Sequence, residues 1–276
     1  MTDCRVCVRV RSGARGHGIC TCNSFTCQGI PSIVPHVRER YGIDAPKVVA
    51  GFSAVALLLT ALVFPVTLVM NMTFGYTAAW VTGIALGGYT LVLWASLAWT
   101  VAGSVVGKRR EWALMLDELS LRGDERVLEV GPGRGAVLVQ IAQRLTTGRA
   151  VGIDLWRTQD QSGNSQKWLL DNAHTAGVAD RIEAHTGDMR SLPFPDASFD
   201  LTVASLAIHN VPAADQEKVV TELVRVLKPG GRVVILDFRQ IEQLAAALRE
   251  AGAREITVSN RRWRVHPSVR VVRAAV

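Results

Sequence analysis

The chain has 276 residues and a formal net charge of +7, and this excess lies entirely in its first 110 residues. Residues 111–276 carry 21 basic and 21 acidic side chains, so the high isoelectric point is no sign of a nucleic-acid partner, and we expect none. All five cysteines lie within the first 27 residues, and their odd number argues against a disulfide framework.

The cysteine-bearing segment, residues 1–33, is rich in Arg, Gly and Cys, and we expect it to form a disordered tail. A zinc site is the alternative, but Cys4-x-x-Cys7 with Cys20-x-Cys22 lacks a regular zinc spacing. We therefore expect no metal ion, and we place the start of the folded chain near Val34.

Two long apolar segments follow this tail. No Asp, Glu, Lys or Arg occurs between Lys47 and Lys108, and residues 48–70 and 77–102 are mostly apolar. A helix needs about 20 residues to cross a hydrocarbon core about 30 Å thick, so each segment is long enough. We predict a membrane anchor over residues 34–110, built as a hairpin of two transmembrane helices.

Single residues also fit such a hairpin. Pro65 is expected to kink the first helix, and Gly83 with Gly87 would let the two helices approach closely. Trp80 and Trp99 lie near opposite ends of the second helix, where tryptophans anchor helices at membrane surfaces.

Two other interpretations explain the apolar segments less well. A helical hairpin of a soluble protein would present a polar face to water, and a signal peptide would begin nearer Met1 and end in a cleavage pattern. Basic residues in 1–47 and in 108–110 flank the hairpin on both sides. We therefore expect both termini and the following domain to be cytoplasmic, on the cell or inner membrane.

A glycine-rich turn is the most informative feature of residues 111–276. An apolar strand is predicted at 126–130, and glycines follow it at 131, 133 and 135 in a G-x-G-x-G pattern. Such a turn lets a ligand lie against the main chain, and the next helix offers it unpaired N–H groups. Because a pyrophosphate prefers G-x-G-x-x-G, the spacing favours an adenosine ligand without phosphates.

Two further strand ends carry acidic residues. Asp154 ends the second predicted strand, where a carboxylate can accept both ribose hydroxyls, and Asp188 follows the third, where an acid can reach an adenine edge. The carboxyl ends of parallel strands meet at one edge of a sheet, so these residues are expected to share one crevice.

These segments together resemble the class I S-adenosylmethionine-dependent methyltransferases, over about residues 111–275. The similarity is greatest to the ubiquinone and menaquinone biosynthesis C-methyltransferases, and residues 127–135, 187–200, 206–211 and 222–237 carry it. The resemblance implies S-adenosylmethionine as cofactor. It also implies that the methionine end of the cofactor contacts Glu129, Gly131, Gly133 and Gly135, and that its ribose contacts Asp154. The adenine edge would contact Asp188 and Met189, and Leu155 or Trp156 would cover the adenine face.

The chain departs from the quinone enzymes in three places. His209 stands where they usually have Arg, the long insertion before their last two strands is missing, and the polar segment 156–165 is longer than expected. The identity of the acceptor therefore does not follow from the resemblance.

Strands and helices alternate along residues 111–276. We predict strands near 126–130, 149–153, 181–186, 199–205, 232–237, 255–259 and 269–274, with helices near 111–120, 135–145, 164–176, 214–227 and 240–251. This order indicates an α/β domain with a doubly wound, mainly parallel, seven-stranded Rossmann-like sheet and an antiparallel edge.

His209 is the candidate catalytic base, and the alternative is that it caps the following helix. Asp237 and Phe238, at the end of the fifth strand, are candidates to face the acceptor. We expect methyl transfer from the cytoplasmic membrane face to a lipophilic small molecule dissolved in the lipid bilayer. A membrane-anchored sensor that binds S-adenosylmethionine without turnover, and an enzyme that methylates a membrane-associated protein, remain open.

Overall fold

The structure, a computed structural model, describes residues 41–276. The predicted tail over residues 1–33, with its cysteines, lies outside the described residues.

Two long helices come first, α1 (Pro46–Phe74) and α2 (Tyr76–Ala102). Gly75 alone separates them, with a φ of 83°. The sequence predicts a connector of six residues over 71–76, but residues 71–74 continue the helix because no glycine or proline interrupts them before Gly75. Both helices are long and apolar enough, by length and composition, to cross a membrane.

The two helices pack along each other as a hairpin. The indole N–H of Trp94 donates to Thr60 Oγ1 at 3.1 Å, and a Cβ on Gly83 would lie 3.0 Å from Thr67 Cγ2. Around Gly87, by contrast, no atom of the described part of the chain lies within 4 Å of the position that a Cβ would take, so only Gly83 of the two predicted packing glycines lies at the helix contact. Large apolar side chains such as Phe64 and Leu58 are exposed on this hairpin.

The second long helix does not end at the predicted domain boundary. It passes through a π-helical segment, Gly103–Gly107, into α3 (Lys108–Leu119). A Cβ on Gly107 would lie 1.8 Å from the carbonyl oxygen of Arg264, and one on Gly103 would lie 2.9 Å from the amide of His266. These two glycines therefore let the helix lie directly against the backbone of residues 264–266.

A seven-stranded sheet forms the centre of the remaining chain. Its strands are β1 (Arg126–Val130), β2 (Arg149–Asp154), β3 (Ile182–Thr186), β4 (Phe199–Ser205), β5 (Leu227–Asp237), β6 (Arg254–Val258) and β7 (Arg270–Ala275). Their order is β3-β2-β1-β4-β5-β7-β6, and only β7 runs antiparallel to its neighbours. The predicted mainly parallel, doubly wound sheet with an antiparallel edge is confirmed.

Helices cover both faces of the sheet. They are α4 (Leu138–Arg144), α5 (Gln166–Thr175), α6 (Gln216–Arg225) and α7 (Ile241–Glu250). Buried apolar residues form one core on each face. Strand β1 pairs with β2 on one side and with β4 on the other. On the two sides of β1 the connections between strands run over opposite faces of the sheet. A crevice for ligands opens at such a switch, outside the carboxyl ends of the strands.

Candidate active site

A cavity of about 660 Å³ lies at this switch point. Seven of the nine predicted cofactor-binding residues line it: Glu129, Gly131, Gly133, Asp154, Leu155, Asp188 and Met189, and the candidate base His209 lines it too. The carboxyl ends of β1, β2 and β4 therefore bring together residues that lie up to 80 positions apart in the chain.

The glycine turn is held tightly by its neighbours. Gly131 has a φ of 68° and donates its N–H to the Ile153 carbonyl at 2.9 Å, and a Cβ on it would lie 2.5 Å from the Cβ of Ala207. A Cβ on Gly133 would lie 2.4 Å from Oε1 of Gln161. Side chains at these two positions would push away the loops that close the turn.

Gly135 and Trp156 are not among the residues that line the cavity. A Cβ on Gly135 would lie 3.2 Å from Leu169 of α5, so this glycine serves the packing of a helix against the turn. The indole N–H of Trp156 donates to Thr186 Oγ1 at 2.8 Å, beside the end of β3. Of the two residues predicted to cover the adenine face, the structure places Leu155 alone at the cavity.

Glu129 is a buried carboxyl group with an unsatisfied oxygen. Its side chain is 1% exposed, and within the described residues its Oε2 atom has no hydrogen-bond partner. Burial raises the pKa of Glu129 to about 8, an effect that the negative charge of Asp154 adds to and that the positive charge of Lys108 opposes. A buried acceptor of this kind is best satisfied by a cationic ligand group in the cavity.

Asp154, at the end of β2, already organises the turn. Its Oδ2 accepts the amide of Gly133 at 3.0 Å, and its Oδ1 accepts the amide of Trp156 at 2.7 Å. Each carboxylate oxygen keeps a second lone pair, so the side chain can still accept hydroxyl groups of a ligand.

Asp188 and Met189 line the cavity beyond the end of β3. Arg190 donates from both Nε and Nη2 to the Asp188 carboxylate, at 3.0 and 2.6 Å to Oδ2, and also reaches Asp215 at 2.8 Å. The hydrogen bond from Arg190 lowers the pKa of Asp188, which keeps this carboxylate ionised and fixed in place.

His209 forms a pair with Asp237 across the ends of β4 and β5. Its Nδ1 lies 2.9 Å from Oδ1 of Asp237, and the Asp237 side chain is 1% exposed. The His209 ring also lies 4.6 Å from that of Phe238, measured between centroids. Since α6 begins only at Gln216, the imidazole binds Asp237 instead of capping that helix.

This pairing sets the proton positions on the imidazole. A carboxylate can only accept, so Nδ1 carries a proton and donates it, and Nε2 is left with the free lone pair. The arrangement holds the imidazole at the cavity in one orientation, with Nε2 turned away from Asp237.

Sequence reasoning missed three polar residues beside the turn: Asp44, Lys108 and Gln161. All three line the cavity, and Asp44 accepts hydrogen bonds from both Lys108 and Gln161. The unexplained polar segment 156–165 was a signal for Gln161, but the long sequence separations hide the contacts themselves.

The cavity also reaches the ends of the apolar hairpin. Val48 and Val49 of α1, Thr100 of α2 and Ser104 of the π segment are among its lining residues, together with Pro267. One continuous space therefore joins the glycine turn to the apolar helices.

Comparison with known proteins places this site in a family. The sequence profile described as "Methyltransferase domain" matches residues 128–235. The ubiquinone/menaquinone biosynthesis C-methyltransferase of Roseobacter denitrificans is 34% identical over 137 residues, which cover 49% of this chain and 52% of that protein. The 27-O-demethylrifamycin SV methyltransferase of Amycolatopsis mediterranei is 33% identical over 146 residues, 51% of this chain and 50% of that protein.

Solved structures share the fold at low sequence identity. The YcgJ protein of Bacillus subtilis matches with a TM-score of 0.50 and 16% identity over 60% of this chain and 97% of that one. The [4+2]-cyclase SpnF matches with a TM-score of 0.50 and 20% identity, over 60% of this chain and 80% of that one. Because this neighbour is a cyclase, the fold alone does not determine the reaction.

Residues 128–235 therefore form a class I S-adenosylmethionine-dependent methyltransferase domain, and S-adenosylmethionine is the cofactor of that class. The chain spans about half the length of the curated relatives it matches. The site fits the cofactor, because the orphaned oxygen of Glu129 suits its ammonium group. Among the described residues that line the pocket, none is a lysine of the glycine turn that could bind phosphates.

Proposed function

We propose that the protein transfers the methyl group of S-adenosylmethionine, at the cytoplasmic face of a membrane, to a lipophilic small molecule. The observation that carries this proposal is the shared cavity. The residues of the glycine turn and the ends of two apolar helices line the same space, so an acceptor dissolved in the bilayer has a short path to the cofactor.

The exposure of the hairpin supports its place in a membrane. Phe52, Leu58, Phe64, Ile84 and Leu91 are each more than half exposed, which is unfavourable in water over so many neighbouring positions. Only 6% of the most apolar window of α1 is buried. A core helix of a soluble protein would bury most of such a window.

The proposed layout keeps the predicted divisions of the chain. After the first 33 residues, residues 34–110 are assigned to the anchor and residues 111–276 to the methyltransferase domain. Basic residues lie on both sides of the hairpin and none lies in its connection, which supports a cytoplasmic position for both termini.

We assign cofactor contacts to the predicted residues that line the cavity. Glu129 and the glycine turn bind the methionine end, Asp154 binds the ribose hydroxyls, and Asp188 with Met189 and Leu155 surrounds the adenine. The cofactor supplies a methyl group on a sulfonium, which is reactive without further activation. The chain's main task is then to hold an acceptor atom in line with that methyl group.

His209 is proposed to take the acceptor's proton on Nε2. Asp237 holds Nδ1 and stabilises the imidazolium that results. This role suits an acceptor with an ionisable group, such as a phenol or an enol. The relatives named above act on quinone precursors and on a demethylrifamycin by their names, which supports an aromatic, lipophilic acceptor here.

A labelling experiment tests the proposal. The full chain in lipid vesicles is given radiolabelled S-adenosylmethionine and a total lipid extract, and label is expected in the organic phase. Label in protein would instead favour a protein acceptor. Tight cofactor binding with no transfer to either fraction would favour a sensor without turnover.

A further inference from the structure

We propose that the apolar hairpin is part of the cofactor site, because its two domain-side ends form a latch over the glycine turn through Asp44, Lys108 and Gln161. The hairpin then contributes to cofactor binding as well as anchoring the domain. The inference rests on the proposed function only in taking S-adenosylmethionine as the ligand.

Lys108 is the first part of the latch. It directly follows the long uncharged stretch, where the sequence suggests a surface cation beside lipid headgroups, yet it is 5% exposed. Its Nζ donates to both carboxylate oxygens of Asp44, at 2.9 and 2.8 Å. Asp44 lies two residues before α1, and Lys108 begins α3 after the π segment that continues α2, so this ion pair links the chain at the domain-side ends of the two apolar helices.

Gln161 connects the ion pair to the turn. Its Nε2 donates to Asp44 Oδ1 at 3.0 Å, and its Oε1 accepts the backbone amide of Arg134 at 2.7 Å. The same Oε1 fills the space that a side chain on Gly133 would need. The turn therefore keeps its shape through a contact that reaches the start of α1.

Backbone hydrogen bonds reinforce this connection. The amide of Ala45 donates to the Asp160 carbonyl at 3.0 Å, and the amide of Ser162 donates to the Ile43 carbonyl at 3.0 Å. The Ile43 amide also donates to Ser162 Oγ at 2.8 Å. Residues 43–45 are thus hydrogen-bonded to residues 160–162. The polar segment 156–165, which the sequence analysis left unexplained, therefore connects the start of α1 to the glycine turn.

The charges of the latch suit a cationic ligand. Lys108 of α3 faces two carboxyl groups, Asp44 and the buried Glu129, while Asp154 faces Glu129 from the end of β2. Asp44 and Asp154 together outweigh the single positive charge of Lys108 even while Glu129 is protonated, so these four side chains carry a negative excess. A ligand with an ammonium and a sulfonium group supplies the missing positive charge.

The latch couples cofactor binding to the hairpin, and this coupling can be measured. In bilayer discs, Gln161→Ala in the full chain is expected to weaken S-adenosylhomocysteine binding about tenfold by calorimetry, since the turn loses its support. Lys108→Met is expected to weaken it similarly and to move the pH dependence of binding to higher pH, because Glu129 loses a nearby positive charge. Lys108→Arg keeps the positive charge, so it should retain most of the wild-type affinity and most of the wild-type pH dependence.

Lys167→Met is the matched control, because Lys167 is 82% exposed and, among the described residues, pairs with Asp171 of its own helix alone. It should leave affinity and pH dependence unchanged.

A second readout avoids mutation: S-adenosylhomocysteine should slow amide hydrogen exchange at residues 43–45. Wild-type affinity and pH profile in both Gln161→Ala and Lys108→Met, with no change in exchange, would overturn the latch. Absence of cofactor binding by the wild-type chain would instead overturn the proposed function.

Discussion

The Nδ1 atom of His209 lies 2.9 Å from Oδ1 of Asp237, although the two residues are 28 positions apart in the chain. The two residues follow the neighbouring parallel strands β4 and β5, whose carboxyl ends meet at the cavity. In the proposed function, this pair orients the imidazole for proton transfer and is not needed to bind the cofactor.

His209→Ala is therefore expected to lower turnover by about 10²- to 10⁴-fold, the usual contribution of a general base, while cofactor affinity stays within about twofold. Turnover and calorimetric affinity, measured on the same preparation, separate the two effects. Asp237→Asn should show the same pattern in weaker form. Equal losses of thermal stability and activity in His209→Ala would point to a structural role.

Asp154→Ala is expected to weaken cofactor binding by roughly 1.5–3 kcal/mol, because ribose hydroxyls and two backbone amides lose a charged acceptor. Calorimetry with S-adenosylhomocysteine measures this directly. Asp200→Ala is a comparison, since Asp200 binds the Arg126 amide and Lys228 at the opposite end of β4. An affinity unchanged by Asp154→Ala would contradict the assigned ribose contact.

Cofactor binding is expected to release about one proton at pH 7. The pKa of Glu129 is raised to about 8 without a ligand, so the carboxyl is mostly protonated at pH 7, and a cationic ligand favours its ionised form. Affinity should therefore rise as the pH increases from about 6 to 8. Calorimetry in buffers of different ionisation enthalpy counts the proton, and Glu129→Gln should abolish the release.

Gly107→Ala is expected to destabilise the protein by about 1–3 kcal/mol, because the new methyl group would collide with the Arg264 carbonyl. Gly87→Ala, with open space around it in the preceding helix, should cause no loss. Thermal unfolding in detergent compares the two. Equal stability of both variants would show that the helix does not rest on residues 264–266.

Leu58→Arg should reduce membrane insertion, since an arginine at the middle of a transmembrane helix costs about 2.5–3.5 kcal/mol. Leu58 is 60% exposed in α1. Leu114→Arg, at an exposed position of α3, is the control and should remain membrane-bound. Carbonate extraction followed by detection in pellet and supernatant measures the difference. In a soluble hairpin, Leu58→Arg would change nothing or improve solubility.

Much of the fold could be predicted because its signals are local. The apolar strand before Gly131, the acid at the end of β2, and the alternation of strands and helices all follow from nearby residues. The sequence also placed Asp237 at the same sheet edge as His209, because both follow parallel strands.

The remaining features depend on contacts between distant parts of the chain. Lys108 resembles a surface cation in sequence, and only the fold brings it to Asp44, 64 residues away. Gln161 donates a hydrogen bond to Asp44, which lies 117 positions earlier in the chain, and the hydrophobic periodicity of the sequence does not predict such a pair. Gly135 fits the ligand-binding pattern as well as Gly131 does, and only the position of Leu169 shows that it serves helix packing.

A structure of the full chain in bilayer discs with S-adenosylhomocysteine bound tests the central claim most directly. The account predicts the amino group of the ligand beside Glu129, its ribose on Asp154 and its adenine near Asp188, beneath the latch of Asp44, Lys108 and Gln161. A ligand bound elsewhere, or the three carboxyl groups free of contact with it, would contradict the account.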